Sequence, residues 1–329
     1  MIECHHAMTG EKYRMRPYHL VAAALLLSTV PAAAQQDLSK VEIKAQTVAP
    51  GLSVLFGAGG NMAVSHGADG TVLIDDQFAP LTPKIEAAVA GLGASPVKYL
   101  INTHWHGDHT GGNENFGKAG AIIIAQDHVR DRMASPQVRG TRTIGPSPAA
   151  ALPVITYHDG INLHLNGDRV RTTHLKHAHT DGDSVVQWEK ANVIHMGDTF
   201  FHQVTLPFID LDSGGSAKGL LAGIGKVLTM IDDKTVVIPG HGPVATKADL
   251  VIYRDMLASV IAAVEAGKAA GKSLVEIQAT KPAARWDTNP DAFIKGDAFI
   301  AAIFKSLDLP AHHHGEGVPH QHGGKEHSH

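Results

Sequence analysis

Short apolar runs separated by turn residues recur along the chain from about residue 50 to residue 240. They are too short for typical helices, and Gly, Asp or Asn bounds many of them, which is typical of strands. Asn166-Gly167 supplies a hairpin turn between two of the runs. The predicted strands are residues 52–56, 62–64, 71–74, 97–102, 121–124, 161–165, 169–174, 185–188, 192–196 and 235–238.

Longer segments with helical spacing of apolar residues alternate with these runs. The predicted helices are residues 83–92, 127–133, 217–230, 248–268 and 298–307. Along the chain, strands are followed by a helix, then by more strands and another helix, and this order occurs twice. It indicates an α/β fold in which two sheets pack face to face with helices outside. We therefore predict one four-layer αββα sandwich over residues 35–311. Residues 135–153 are rich in Pro, Gly, Ser and Thr and form either an active-site cover or a surface excursion.

The first 34 residues have the pattern of a cleavable signal peptide. Lys12, Arg14 and Arg16 precede an apolar stretch at residues 20–30, and small residues follow at 32–34. The stretch is too short to favour a spanning helix, so we expect a periplasmic protein without a stable membrane anchor. The balance of 28 basic against 32 acidic residues argues against nucleic acid as a partner.

Histidine and cysteine usage limits the metal chemistry. Cys4 is the only cysteine and lies in the leader, so a metal site of the mature chain must use His and carboxylates. Such ligands suit Zn²⁺, and also Fe or Mn. Residues 312–329 hold seven of the 23 histidines among polar residues, which predicts a disordered tail. This tail either captures zinc or is a solvated end.

Four candidate ligands lie within six residues directly after the predicted strand at 97–102: His104, His106, Asp108 and His109. Alternate residues of an extended chain point the same way, so His104 and His106 can share one cation. The chain then turns, and the second pair projects in another direction. This arrangement favours two neighbouring cations over one.

The motif His104-X-His106-X-Asp108-His109 resembles the signature of the metallo-β-lactamase superfamily of dinuclear hydrolases. Later stretches extend the resemblance to roughly residues 50–245: His179-Thr180, Gly197-Asp198-Thr199 and Gly240-His241-Gly242. It implies a first metal held by His104, His106 and His179, a second metal held by Asp108, His109 and His241, and Asp198 as the bridge between them.

Other residues are assigned around these ligands. Asp75, at a strand end, either accepts the second ring N–H of a ligand histidine or caps a turn. His177 is placed at the rim, and His202 is a candidate proton or hydrogen-bond donor near the metals. The candidate cleft side chains, with core packing as the alternative for the phenylalanines, are Trp105, Phe200, Phe201 and Phe208.

The resemblance also implies a chemistry. Two cations about 3.5–4 Å apart acidify a shared water and supply a bridging hydroxide, and Asp108 orients it and passes its proton to the leaving atom. Predicted export and the similarity of residues 183–186 to true β-lactamases favour β-lactam hydrolysis. Asp198 instead resembles the glyoxalase and lactonase arrangement, because two β-lactamase subclasses carry Cys there. A lactone or ester hydrolase is therefore the alternative, and a non-catalytic zinc-binding protein is a third. In the enzymatic interpretations the substrate is a small molecule with a carbonyl.

Overall fold

The computed structural model describes residues 37–139 and 141–309, so the predicted leader and His-rich tail lie outside the described residues. Within these two ranges, fifteen strands form two large sheets and one hairpin. In chain order the strands are β1 Lys44–Ala49, β2 Leu52–Phe56, β3 Met62–Gly67, β4 Gly70–Ile74, β5 Val97–Ile101, β6 Ile122–Gln126, β7 Gln137–Arg139, β8 Arg142–Ile144, β9 Ile155–Tyr157, β10 Asn162–Leu165, β11 Asp168–His174, β12 Ser184–Trp188, β13 Val193–His195, β14 Val236–Ile238 and β15 Ala245–Thr246.

In both large sheets, most strands that lie side by side are also consecutive in the chain. The first has the order β1-β2-β3-β4-β5-β6-β9, with β1 to β4 antiparallel and the remaining pairs parallel. The second has the order β10 to β15, with one parallel pair between β13 and β14. Strands β7 and β8 form a separate hairpin.

Eight α-helices accompany the sheets within the described residues. They are α1 Thr82–Gly91, α2 Gly107–Thr110, α3 Asn113–Lys118, α4 Asp127–Ala134, α5 Ala217–Met230, α6 Lys247–Ala269, α7 Leu274–Ala279 and α8 Gly296–Ser306. Side chains cap the N-termini of the longest ones: Ser216 Oγ accepts from Gly219 N, and Thr246 forms a capping box with Asp249. No helix in the described ranges has the length and apolarity to cross a membrane.

Three apolar clusters show why the layers stack as they do. Successive residues of a strand face opposite sides, so Ile101 of β5 packs between the two sheets whereas Leu100 packs under α1 and α3. In the second sheet, Val186 likewise faces the first sheet, and Val185 faces α5, α6 and α8. The order helix, sheet, sheet, helix is therefore the predicted αββα sandwich, and the prediction is confirmed.

The elements that were predicted differ from the observed ones mainly at their first and last residues. The helix predicted at 217–230 has the observed bounds, and the other four predicted helices differ by one or two residues at an end. Strands β1, β9 and β15 and helices α2, α3 and α7 were absent from the prediction because each is short or has a weak apolar pattern. The segment 135–153, predicted to be irregular, contains the β7–β8 hairpin.

Candidate metal centre

The first cluster of candidate ligands is His104, His106, His179 and Asp198, all buried. His104 and His106 follow β5, His179 lies between β11 and β12, and Asp198 follows β13. His106 Nδ1 lies 3.0 Å from His179 Nε2. Asp198 Oδ2 lies 3.8 Å from His104 Nε2 and 3.7 Å from His179 Nε2. Three chain segments thus converge on one point.

The second cluster is Asp108, His109, His241 and the same Asp198. Asp198 Oδ1 lies 3.0 Å from His109 Nε2 and 3.4 Å from His241 Nε2. Asp108 Oδ2 lies 3.3 Å from His241 Nε2 and 3.7 Å from His109 Nε2. The two oxygens of Asp198 therefore face different clusters, which is the geometry of a bridging carboxylate.

Hydrogen bonds around the first cluster leave lone pairs facing its centre. His106 Nε2 lies 2.7 Å from the Asp210 carboxylate, and His179 Nδ1 lies 2.8 Å from the Phe208 carbonyl. Each outer nitrogen faces an oxygen acceptor, so the tautomer that satisfies this contact carries its ring proton there. The inner nitrogens, 3.0 Å apart, then both present lone pairs. A cation between them satisfies both.

The same logic holds for His104 and His109. Thr103 Oγ1 donates to Asp75 Oδ2, so it accepts from His104 Nδ1 at 3.1 Å. His109 Nδ1 donates to Asp75 Oδ2 at 2.8 Å. His104 Nε2 then faces inward, buried and without a hydrogen bond to any described residue. An orphaned buried nitrogen in a set of N and O ligands fits a bound Zn²⁺, Fe or Mn ion.

The electrostatics of the clusters also suit cations. Burial alone would lower the pKa of His241, but Asp198 and Asp108 outweigh it and raise that pKa to about 9. Burial opposes ionisation of Asp108, yet His109 and His241 hold its pKa at about 2. Burial and the neighbouring His109 lower the pKa of His104 well below its usual value. The carboxylates are thus ionised at neutral pH and attract positive charge to the second cluster.

Asp75 accepts the hydrogen bond from a candidate ligand histidine that the sequence suggested, and it also binds Thr103. Its Oδ1 accepts from the Thr103 backbone N–H at 2.8 Å, while Oδ2 accepts from Thr103 Oγ1 and from His109 Nδ1. Asp75 has a φ of 57°, a left-handed conformation that places the carboxylate beneath both clusters. One buried carboxylate thus orients a ring of the second cluster and the backbone preceding the first.

Three supporting residues were missed from the sequence. Asp210 bonds His106 from a 3₁₀ turn more than 100 positions away in the chain. Asn61 Nδ2 donates to the carbonyls of Pro239 and Gly242 at 2.9 and 2.8 Å, which brackets His241. The third, Asp183, accepts from the backbone and hydroxyl of the residue after His179. Asn61 and Asp210 lie outside the motifs, where a lone Asn or Asp carries no sequence signal for such a role. Asp183 begins the stretch that resembles β-lactamases, but the resemblance did not indicate its contact with the residue after His179.

Two predicted residues lie outside both clusters. His177 is half-buried, and its Nδ1 contacts the Gly214 carbonyl at 3.0 Å. His202 was a candidate hydrogen-bond donor near the metals, and the structure contradicts this. Its Nδ1 contacts the Pro243 carbonyl at 2.9 Å, and its Nε2 faces Asp249 at 3.8 Å in a separate pocket. The residues after Asp198 alternate sides, so His202 points away while Phe201 faces the clusters.

A cleft of about 450 Å³ opens over both clusters. Phe201 and Phe208 line it, as the sequence suggested, together with Asp291 and Phe293 from the segment before α8. Phe200 is instead buried in the core of the second sheet. Trp105 is also buried, in a cluster with Ala125, Val129, Met133 and Ala151. Residues 135–153 are not among the cleft-lining residues that the structure describes.

Comparison with known proteins agrees with this geometry. Residues 57–241, which include all seven candidate ligands, match the model of the metallo-beta-lactamase superfamily. The chain belongs to this superfamily. An uncharacterized protein of Mycobacterium leprae is 43% identical over 86 residues, covering 26% of this chain and 38% of that protein. The beta-lactamase-like protein 2 homolog of Caenorhabditis elegans is 24% identical over 181 residues, covering 54% and 53%. The chain thus matches about half or less of each relative.

Two solved structures have a fold similar to that of this chain. The metallo-beta-lactamase from Pontibacter korlensis has a TM-score of 0.56 and 17% identity, covering 66% of this chain and 99% of that one. The stereoselective inverting sec-alkylsulfatase Pisa1 from Pseudomonas sp. has a TM-score of 0.59 and 17% identity, covering 80% and 50%. At such identities the likeness concerns the fold alone.

Proposed function

We propose that this superfamily member is a dinuclear, zinc-dependent hydrolase that cleaves a small carbonyl substrate in the cleft. The observation that carries the proposal is Asp198, whose two oxygens face two separate ligand clusters beneath one opening. His104, His106 and His179 would hold one ion, and Asp108, His109 and His241 the other. When bound, the ions supply an acidified water as nucleophile and polarise the scissile carbonyl.

The chain's own residues position and move the proton. Asp108 has a side chain that is 32% exposed and lines the cleft, in contrast to the buried Asp198. Its carboxylate can therefore hold a proton from the attacking water and return it to the leaving atom. Asp75 and Asp210 keep the rings of His109 and His106 in fixed tautomers, so the site is organised before substrate arrives.

β-Lactam amide hydrolysis is the leading activity in this proposal. Two observations support it: the match of residues 57–241 to the superfamily model, and the cleft walled by Phe201 and Phe208. The expected export to the periplasm, which rests on the sequence alone, is consistent with it. An apolar wall beside a polar reaction centre suits the side chain and the ring of such a substrate.

Lactone or ester hydrolysis is the second candidate. It is favoured by one feature, the carboxylate of Asp198 between the clusters, where a thiolate stands in two β-lactamase subclasses. A carboxylate spans two hard cations with separate oxygens, and an alkoxide leaving group needs less protonation than an amide nitrogen. The sequence hypothesis of a zinc store rests on the tail, which lies outside the described residues.

The deciding experiment measures hydrolysis of a chromogenic cephalosporin, a simple lactone and an alkyl sulfate by the mature protein, with and without chelator. Chelator-sensitive cephalosporin turnover above lactone turnover supports the leading activity, and lactone turnover alone moves the assignment to the second. Deleting residues 312–329 should leave turnover unchanged. Loss of most bound zinc without loss of turnover would assign storage to the tail.

A further inference from the structure

The segment between α7 and α8 is fastened to the chain that follows Asp198. Asn289 Nδ2 donates to the Val204 carbonyl at 2.7 Å. Five residues later, Ile294 N donates to Thr205 Oγ1 at 2.8 Å. These bonds hold residues 289–294 against the wall of the cleft. A part of the chain outside the superfamily match at 57–241 therefore completes the cleft.

An aromatic wall runs from the ligand histidines to this segment. The Phe208 ring lies 5.3 Å from the His179 ring, and the Phe293 ring meets Phe208 edge to face at 5.7 Å. Phe293 is 76% exposed, an unusual state for a large apolar side chain. A ligand ring lying against Phe208 and Phe293 would remove this surface from water and extend the edge-to-face arrangement.

The charge at the outer end of this wall is negative. Asp291 is exposed and lines the cleft two residues before Phe293. Lys295, the nearby cation, donates to the carbonyls of Asn289 (2.7 Å) and Pro290 rather than to this carboxylate. Among the described residues that line the cleft there are three aspartates and neither lysine nor arginine. The described cleft-lining residues therefore provide no lysine or arginine at this end for an anionic group.

We propose that the part of the substrate remote from the reacting bond is an aromatic group that is neutral or positively charged, with Phe293 and Asp291 selecting it. The inference rests on the proposed function and specifies its substrate class. The phenylalanines supply the apolar contact, and Asp291 together with the ring faces favours a cation over an anion. Substrates with a carboxylate at this end are rejected.

The test uses three penicillins that share one nucleus and differ only at the side-chain carbon next to the ring. Their side chains are phenylglycyl (cationic), phenylacetyl (neutral) and phenylmalonyl (anionic). We expect kcat/KM for the cationic compound to exceed that for the anionic one by about tenfold at low salt, which is the scale of one exposed ion pair gained and one repulsion avoided. The ratio should shrink as salt rises. Preference for the anionic compound would overturn the proposal.

Variants of Asp291 and Phe293 separate the effect of the carboxylate charge from that of the apolar contact. Asp291→Asn should bring the cationic-to-anionic ratio close to one, and Asp291→Lys should invert it. Asp233→Asn is the matched control, because that side chain is 96% exposed and does not line the cleft. Phe293→Ala should lower kcat/KM for all three compounds about tenfold relative to 6-aminopenicillanic acid, which lacks the ring. Val275→Ala, at 73% exposure on α7, is its control.

A binding measurement distinguishes failure of this inference from failure of the proposed function. Phenylglycinamide, phenylacetamide and phenylmalonamic acid can be compared by ligand-observed NMR, and the same three side chains can be placed on homoserine lactone. If no β-lactam is hydrolysed but the cationic and neutral amides bind in an Asp291-dependent way, the inference stands and the leading activity is wrong. Equal binding of all three amides, unchanged in Asp291→Asn, would contradict the inference whichever activity is found.

Discussion

Asp210 Oδ2 lies 2.7 Å from Nε2 of His106, whose opposite nitrogen faces His179 in the first cluster. Ser213 holds the same carboxylate, since its hydroxyl donates to Oδ2 at 2.7 Å and its backbone N–H to Oδ1 at 3.2 Å. The Asp210 backbone N–H also donates to the His179 carbonyl at 2.9 Å. One turn thus fixes two of the candidate ligands.

Replacing Asp210 should weaken metal binding without removing a ligand. Loss of such an outer carboxylate typically lowers metal affinity by about 10- to 100-fold, because the ring loses its orientation and some basicity. We expect the loss of metal affinity to be near the upper end of this range for Asp210→Ala. For Asp210→Asn, which keeps an acceptor oxygen, the loss should be near the lower end. Competition with a chromophoric chelator measures this. An affinity equal to that of an Asp233→Asn control would mean that the turn does not support the site.

Crowding the second cluster offers a test that leaves every ligand in place. A Cβ at Gly60 would lie 2.0 Å from His109 Cε1 and 2.4 Å from Nε2, so Gly60→Ala must displace the ring. We expect loss of one bound metal and of turnover, with the fold retained by circular dichroism. Gly91→Ala is the control, because nothing lies within 4 Å of its Cβ position at the end of α1. Its expected effect is a stabilisation of about 0.5–1 kcal/mol.

Asp75 is predicted to be a stability residue as well as a support for His109. Asp75→Ala removes the acceptor for the buried Thr103 N–H, and an unpaired buried donor costs about 1–3 kcal/mol. We therefore expect the free energy of unfolding of the chelated protein to fall by about that amount or more, as measured by urea denaturation. A change below about 0.5 kcal/mol would show that the carboxylate is dispensable for the fold.

The chelated protein should lose stability as the pH rises above neutrality. Asp198 and Asp108 outweigh burial and raise the pKa of His241 from 6.5 to about 9. The proton on His241 therefore stabilises the fold fully below pH 6.5, and this contribution is lost as the pH passes through 9. The slope is at most about 1.4 kcal/mol per pH unit. Metal affinity should rise over the same interval, because the cation displaces this proton.

Urea denaturation of the chelated protein at several pH values across this interval measures the slope. His241→Gln supplies the comparison, because it removes this titrating ring and should reduce the slope. The contribution of His109, whose pKa the neighbouring carboxylates also raise, should remain. If the wild type and His241→Gln have the same slope, the two carboxylates do not bind a proton on His241 in the absence of metal.

Sequence reasoning succeeded where residues lie close together in the chain. The fold could be predicted from runs such as residues 71–74 and 217–230, because the spacing of their apolar residues indicates which side of the element faces the core. Candidate ligands such as His104 and His241 were found because each follows a strand end within a short motif, and the structure brings all seven into two clusters. Their role as metal ligands stays a prediction.

Positions set by tertiary contacts were beyond that reasoning. His106 and Asp210 meet only when the loops after β5 and β13 converge, and neither loop carries a periodic pattern that encodes the contact. Phe293 reaches the cleft from the segment before α8, where an exposed Phe has no distinctive neighbours in sequence. The prediction for His202 was wrong because proximity to Asp198 in the chain says nothing about side-chain direction.

In the proposed function, one chain holds two cations that share Asp198. The most direct measurement is the metal content of purified, zinc-saturated protein after gel filtration, for the wild type, His241→Ala and Asp198→Ala. We expect two zinc ions per chain in the wild type and one in His241→Ala. Asp198→Ala should retain both ions more weakly, with turnover lower by roughly a thousandfold. One zinc or none in the saturated wild type would rule out the two-metal site, as would near-wild-type turnover and unchanged metal content in Asp198→Ala.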